Sequence, residues 1–319
     1  MKEVLVTIPV SQEQREYLES KGPGCHFYYK SVKETTDEEV QRANVIIGGM
    51  DTDRIRESKN LEWIQLRSAG ADHFCQKGIL APGTILTNAT GAFGPEISEY
   101  MLGAVLLLYK NFHLYQKNQE KHLWRYAAEA RAIQGSTTLV IGLGDIGGNF
   151  ARKMHALGSR VIGVKRNAGP KPDYVDQLFT TEGLDEALPQ ADIVALSLPN
   201  TPETRHIIEA RRLALMKPSA ILINVGRGTS VDTDALCQAL TAGRLGGCVL
   251  DVTEPEPLPE DHPLWDAPNV VITPHISGLS ERKEIQEHIV RLAGENLERF
   301  LMGKPLINEV DFATWYRKN

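Results

Sequence analysis

One hexapeptide and its flanks constrain this chain more than any other feature: Gly142-Leu143-Gly144-Asp145-Ile146-Gly147. It follows an aliphatic, β-branched run at 138–141 that reads as a strand, and it opens a helical pattern over 147–157. In such a strand–turn–helix the first glycine permits the tight turn, the second lets a pyrophosphate approach the backbone, and the third lets helix and strand pack closely. Gly142, Gly144 and Gly147 take those parts, and the helix start offers the N–H groups of Asp145 and Ile146 to phosphate oxygens. A chain with this turn is expected to build a parallel α/β sheet and to bind a dinucleotide.

The surrounding pattern agrees. Strands are predicted at 4–8, 45–48, 63–66 and 84–87, with amphipathic or polar segments such as 12–19 and 38–43 between them. A single long helix is predicted from Pro95 to about Lys117. Pro95 suits its first turn, and Glu96 and Glu99 lie near its positive end. A second series of strands follows at 138–141, 160–164, 177–180, 193–196, 220–224, 246–251 and 270–273. After a last helix at about 280–302, the tail 305–319 has no strand of that series left to join, so it is expected to return to the first sheet. The fold class is therefore α/β: two Rossmann-like, doubly wound parallel-sheet domains. The cofactor domain, 95–283, is inserted within a substrate domain made of 1–94 and 284–319. At roughly 100–200 residues per domain, 319 residues suit two.

Composition narrows the class. The chain is 42% hydrophobic and 24% charged, with a formal net charge of −6, and no Lys/Arg run reads as a nucleic-acid or anionic-membrane patch. The apolar run after Met1 is too short for a signal segment, and the longest, 101–109, is far below the ~20 residues that cross a bilayer. The four cysteines, Cys25, Cys75, Cys237 and Cys248, form no Cys-x-x-Cys, so neither a disulfide framework nor a metal site is signalled. The expectation is a cytoplasmic protein with packing cysteines, no metal, and neither nucleic acid nor membrane as partner.

Cofactor choice is written at the end of the strand after the glycine turn. An Asp or Glu there would hold a ribose 2′-hydroxyl and repel a 2′-phosphate. The chain instead reads Val164-Lys165-Arg166-Asn167, with no acid before Asp173. Lys165 and Arg166 attract a phosphate, so NADP(H) is favoured, with NAD(H) as the alternative.

Three more segments fall where a predicted strand meets its loop: Asn224-Val225-Gly226-Arg227-Gly228, Asp251-Val252-Thr253-Glu254-Pro255-Glu256-Pro257-Leu258, and Thr273-Pro274-His275-Ile276-Ser277-Gly278. Open α/β sheets bind ligands at the carboxyl ends of their strands, so an arginine, an acid (Glu254 or Glu256) and a histidine are expected to gather there. Among nine histidines, His275 alone follows a strand and a proline within a small-residue loop. Asp232, just before a helical run, reads as a helix cap.

These motifs, in this order along the whole chain, resemble the D-isomer-specific 2-hydroxyacid dehydrogenase family. His262-Pro263-Leu264-Trp265 and the missing ribose acid are most similar to its short glyoxylate/hydroxypyruvate reductase-type members. The resemblance implies an enzyme that reduces a small 2-oxoacid to the D-2-hydroxyacid with hydride from NAD(P)H. It implies that Arg227 binds the substrate carboxylate and polarises the carbonyl, and that His275 donates the proton. It implies that Glu256 holds the imidazole and favours its charged form, which leaves Glu254 as an exposed loop acid. It adds Pro199, Thr204, Val225, Gly226, Asp251 and Gly278 to the cofactor contacts. It assigns substrate-carboxylate binding to the backbone N–H groups of Ala69, Gly70 and Ala71, and it implies a homodimer through the cofactor domains, with the arm around His122-Leu123-Trp124 as a contact. The competing readings are a D-3-phosphoglycerate dehydrogenase using NAD and a dinucleotide-sensing binding protein of the co-repressor kind. A formate dehydrogenase is disfavoured, because that branch resembles a Gln at the position of Glu256.

Overall fold

Aliphatic and β-branched runs become strands because their side chains pack on a pleated, buried surface. The computed structural model describes residues 1–56, 58–279 and 282–318. In its first sheet β1 (Glu3–Val6), β2 (His26–Tyr29), β3 (Val45–Gly48), β4 (Trp63–Leu66) and β5 (Ile85–Thr87) run parallel in the order β2-β1-β3-β4-β5. In the second, β6 (Thr137–Ile141), β7 (Arg160–Lys165), β8 (Gln177–Thr180), β9 (Ile193–Leu196), β10 (Ile221–Asn224), β11 (Gly247–Leu250) and β12 (Val270–Ile272) are likewise parallel, in the order β12-β11-β10-β9-β6-β7-β8. Both orders are doubly wound, reversing at β1/β3 and at β6/β9. The chain divides into two compact units, Met1–Phe93 with Leu279–Asn319, and Gly94–Gly278.

Register explains each core. Across the second sheet Ile162, Leu139, Val194, Leu222 and Cys248 are successive cross-strand partners, and all five are fully buried. Across the first, Leu5, Ile46, Ile64 and Leu86 form the corresponding row, again fully buried. Each such aliphatic side chain contributes about 1.5–3 kcal/mol by leaving water. Burial also pushes the Cys75 thiol up to about 12 and the Cys248 thiol higher still, which keeps both protonated as packing groups.

The return of the chain rests on a buried polar network. Asn296, on the helix Lys283–Leu301, donates to Gln65 Oε1 at 3.0 Å and to the Ile307 carbonyl at 2.9 Å, and accepts from the Ile307 N–H at 2.7 Å. Gln65 Oε1 also accepts from Thr87 Oγ1 at 2.8 Å, and Trp63 Nε1 donates to that hydroxyl at 2.9 Å. The tail then bonds to β5 through Val310 N–H and the Leu86 carbonyl. The expected start of this helix at Ser280 lies outside the described residues, as does Asn319.

Two expectations are corrected. The long helix predicted from Pro95 to about Lys117 is two helices, Gly94–Tyr109 and Phe112–Glu120. The break is at Asn111, which takes a left-handed backbone (φ 57°) and spends its amide on the carbonyls of Ala128 and Glu129. Local helix propensity does not register that anchor. β2, absent from the predicted strands, is a half-exposed edge strand with no aliphatic run to announce it. Among the described residues, no helix is long and apolar enough to cross a membrane.

Replacing Asn296 with Ala leaves the Ile307 N–H unpaired in the interior and opens a small void. The expected loss is about 2–4 kcal/mol, measured as a lower urea midpoint. A midpoint shift worth less than about 0.5 kcal/mol would show the network to be dispensable.

Candidate active site

Parallel strands deliver their carboxyl ends to one edge of a sheet. In the second sheet that edge carries the glycine turn after β6, Lys165 ending β7, the 197–206 loop after β9, the Arg227 turn after β10, Asp251 after β11 and the His275 loop after β12.

The glycine turn has the shape its spacing predicted. Gly142 sits at φ 95°, which side-chain-bearing residues rarely adopt. A Cβ on Gly147 would run into the Gly142 carbonyl oxygen and lie 2.7 Å from Ser197 Oγ. Gly144 borders open space and caps the helix Asp145–Ala156, whose first-turn N–H groups, including that of Ile146, have no partner within the helix. This cradle of small residues and N–H donors fits a pyrophosphate. The Asp145 carboxylate is drawn to the N-terminus of the helix Gly94–Tyr109, accepting from Gly94 N–H at 2.9 Å. Lys165 is half-buried at the end of β7, and Arg166 is exposed just beyond it. Glu203 is held below the usual carboxylate range by its own backbone N–H and by Thr201, with the charge of Arg166 adding to the effect.

Arg227 leaves β10 on a turn built by Asn224, a fully buried residue. Asn224 Oδ1 accepts from Gly226 N–H at 3.1 Å, and its amide donates to the Arg227 carbonyl at 2.9 Å. Arg227 Nη1 donates to the Gly226 carbonyl at 2.9 Å. Val225 and Gly226 are buried in this turn. Gly228 presses against the Thr253 backbone, leaving no room for a Cβ, and so packs the Arg227 turn on the acidic loop. In that loop Glu256 Oε1 meets His275 Nδ1 at 2.7 Å. A carboxylate only accepts, so Nδ1 carries the hydrogen and Nε2 is left to face a ligand. Both side chains are nearly half exposed, at 48% for His275 and 44% for Glu256, so solutes reach them.

Glu254 is not the exposed acid expected. It is half-buried, with Oε1 2.6 Å from Arg205 Nη1 and Oε2 2.9 Å from His206 Nε2. It ties the 197–206 loop to the acidic loop, a role for which Arg205 and His206 gave no local signal. Burial raises its carboxyl, but the hydrogen bonds from His206 and Arg205 outweigh burial and set it below the ordinary 4.5. Thr204 is buried, and its hydroxyl closes its own turn by donating to the Pro199 carbonyl at 2.7 Å. Asp232 caps the helix Thr233–Thr241 through the Ala235 N–H.

Asp251 is 1% exposed and its carboxylate faces the His275 loop. It accepts from Thr273 Oγ1 at 2.6 Å, Ile276 N–H at 2.8 Å and Ser277 N–H at 2.9 Å. Gly278, half-buried, ends that loop. Neither Thr273 nor Tyr100, whose hydroxyls lie 2.6 Å apart, stands out in sequence. In the first unit Ala69, Gly70 and Ala71 follow β4. Among the described residues their three N–H groups meet no acceptor, while Asn88 and Ser68 hold the Ala69 and Gly70 carbonyls.

The fold and the glycine turn define a dinucleotide-binding α/β protein. Residues 102–277 match the model of the D-isomer specific 2-hydroxyacid dehydrogenase, NAD binding domain. The chain is 32% identical over 262 residues to a glyoxylate reductase of Thermofilum pendens, covering 80% of this chain and 76% of that one. It is 30% identical over 316 residues to a D-3-phosphoglycerate dehydrogenase of Methanocaldococcus jannaschii, covering 98% of this chain and 60% of that one. Its structure resembles that of an NADPH-dependent glyoxylate/hydroxypyruvate reductase from Sinorhizobium meliloti in complex with NADP and sulfate, with a TM-score of 0.83, 27% identity, and 99% and 100% of the two chains covered. The chain belongs to the D-isomer specific 2-hydroxyacid dehydrogenase family. It is an oxidoreductase with a nicotinamide dinucleotide as its cofactor.

Glu254 is worth testing by linkage. Its carboxyl lies below 4.5 in the fold, so its stabilisation is fully present above 4.5 and is lost as pH falls through the lower folded value. Glu254→Gln is expected to melt below the wild type at about pH 7, with the gap narrowing as pH falls below 4.5. A gap that persists unchanged in acid would remove the ionised pair as its cause.

Proposed function

We propose that this enzyme reduces a small 2-oxoacid of the glyoxylate or hydroxypyruvate kind to the D-2-hydroxyacid, with NADPH preferred. The observation that carries the reading is the His275–Glu256 pair at 2.7 Å, packed through Gly228 and Thr253 against the turn that bears Arg227.

The dinucleotide is held by Gly142, Gly144, Ile146 and Gly147 at its pyrophosphate and by Lys165 and Arg166 at a 2′-phosphate. Pro199, Val225, Gly226 and Gly278 would line the remainder of its path, and Asp251, 1% exposed, supports the His275 loop. When bound, the reduced dinucleotide supplies the hydride. Arg227, with its permanent charge, binds the substrate carboxylate and polarises the C2 carbonyl. The N–H groups of Ala69, Gly70 and Ala71 are themselves suited to a carboxylate. His275 then gives its Nε2 proton to the carbonyl oxygen, while Glu256 holds the ring by Nδ1 and balances the charge of the imidazolium. The product is neutral at the new hydroxyl, and His275 must regain a proton from solvent, which its half-exposed ring permits. The Gly94–Gly278 unit serves as the dinucleotide-binding domain and the other as the substrate domain.

We also propose a homodimer through the dinucleotide-binding units. Phe112, Leu123, Trp124 and Tyr126 are exposed along the helix Phe112–Glu120 and the arm after it, and Trp124 is fully so. Isolated exposed apolar residues are ordinary, but this many along one arm is what a partner surface requires. Sedimentation at micromolar concentration should give twice the chain mass, and Trp124→Ser should weaken the association. A monomer at that concentration refutes the dimer.

The enzymatic test is initial-rate loss of reduced-nicotinamide absorbance with NADPH and NADH, against glyoxylate, hydroxypyruvate, pyruvate and a phosphorylated 2-oxoacid. Turnover of the first two is expected, with kcat/KM at least about tenfold higher for NADPH, the worth of a charge-assisted hydrogen bond. His275→Gln should lower kcat by about 10²–10⁴. Equal efficiency with both cofactors overturns the Lys165–Arg166 argument alone. Preference for the phosphorylated acid moves the assignment to the phosphoglycerate dehydrogenase type.

A further inference from the structure

Asp251 gathers three successive backbone N–H groups of the His275 loop. His275 N–H donates to its carbonyl at 2.9 Å, Ile276 N–H to Oδ1 at 2.8 Å and Ser277 N–H to Oδ2 at 2.9 Å. His275 itself sits at φ 55°, a left-handed setting uncommon for a residue with a side chain, so the loop depends on these bonds. Thr273 Oγ1 lies 2.6 Å from Asp251 Oδ1 and 2.6 Å from the Tyr100 hydroxyl. A hydroxyl has one proton. Thr273 gives its proton to the carboxylate, so Tyr100 must donate to Thr273. The relay therefore runs one way, from Tyr100 through Thr273 to Asp251.

Tyr100 stands on the helix Gly94–Tyr109, which is bonded twice to the helix that begins at the glycine turn. Lys153 Nζ donates to Ser98 Oγ at 2.7 Å, and Gly94 N–H to Asp145 Oδ2 at 2.9 Å. One rigid element thus touches the dinucleotide turn at its start and the His275 loop at Tyr100.

We propose that Tyr100 is a positioning residue: its hydroxyl, acting through Thr273 and Asp251, fixes the backbone that carries His275 relative to the glycine turn. The inference rests on the proton-donor role given to His275 above. Burial pushes the Tyr100 hydroxyl up to about 12, opposed by the Thr273 bond and assisted by the Asp251 charge, so it remains a donor at ordinary working pH.

Tyr100→Phe removes only the hydroxyl. In the full-length protein, amide hydrogen exchange of the 273–278 segment should quicken about tenfold while other segments stay as they are. In 2-oxoacid reduction kcat should fall about tenfold, with KM for both substrates within about twofold. Thr273→Val should reproduce this and Thr273→Ser should restore it, and the Tyr100→Phe/Thr273→Val double variant should be no worse than Thr273→Val alone. A general loss of stability would move none of these contrasts, and the Thr273 pair decides the matter if Tyr100→Phe does not fold. A kcat within about twofold of wild type, or losses that multiply in the double variant, overturn the proposal. If the wild type reduces no 2-oxoacid, the proposed reaction falls. The exchange comparison then decides the relay alone, unchanged protection overturning it.

Discussion

Parallel pairing is the constraint on which everything else here depends. Parallel neighbours cannot be joined by a tight hairpin, so each strand must be followed by a crossover that returns the chain to the same starting edge. Every strand of the second sheet therefore ends at the opposite edge, and whatever follows a strand in sequence is delivered there. Gly142, Lys165, Pro199, Arg227, Asp251 and His275 are spread over more than a third of the chain, yet each follows or ends a strand of one sheet. The row of buried aliphatics from Ile162 to Cys248 makes that arrangement rigid, since a one-residue slip of any strand would turn its apolar set away from the core.

The loops at this edge divide into groups that face solvent and groups that hold them. His275 and Glu256 are nearly half exposed, so solutes and water reach both. Their supports are buried: Asn224 shapes the Arg227 turn, and Asp251 shapes the His275 loop. Burial makes these supports effective, because an amide or carboxylate withdrawn from water loses much if its partners move away. Glu254 does the same between the 197–206 loop and the acidic loop, with hydrogen bonds from His206 and Arg205 compensating its partial burial.

Much of this was legible from residues alone. Strand positions such as Val45–Gly48 and Ile193–Leu196 stand out because a fully buried parallel strand is a short unbroken apolar run. The glycine turn is legible because Gly142 and Gly147 answer local steric needs and Gly144 keeps the helix start open. The edge strand His26–Tyr29 was not legible, since its aromatic, half-exposed residues share no aliphatic pattern with the others. Nor was the break at Asn111, which depends on carbonyls of Ala128 and Glu129 that arrive from outside the helix.

The sequence by itself determined the α/β class, the dinucleotide turn and the set of candidate groups. Those features are encoded by periodicity and by spacing over a few residues, which local sterics and burial convert directly into structure. Only the tertiary structure decided which acid meets which histidine: Glu256 reaches His275, whereas Glu254, two residues earlier, is taken by His206 and Arg205. It alone brought Tyr100 to Thr273, and Asn296 to Gln65, across separations of 173 and 231 residues. Hydrogen-bond partners at such distances are chosen by where packing leaves a donor beside an acceptor, and no local pattern records that choice.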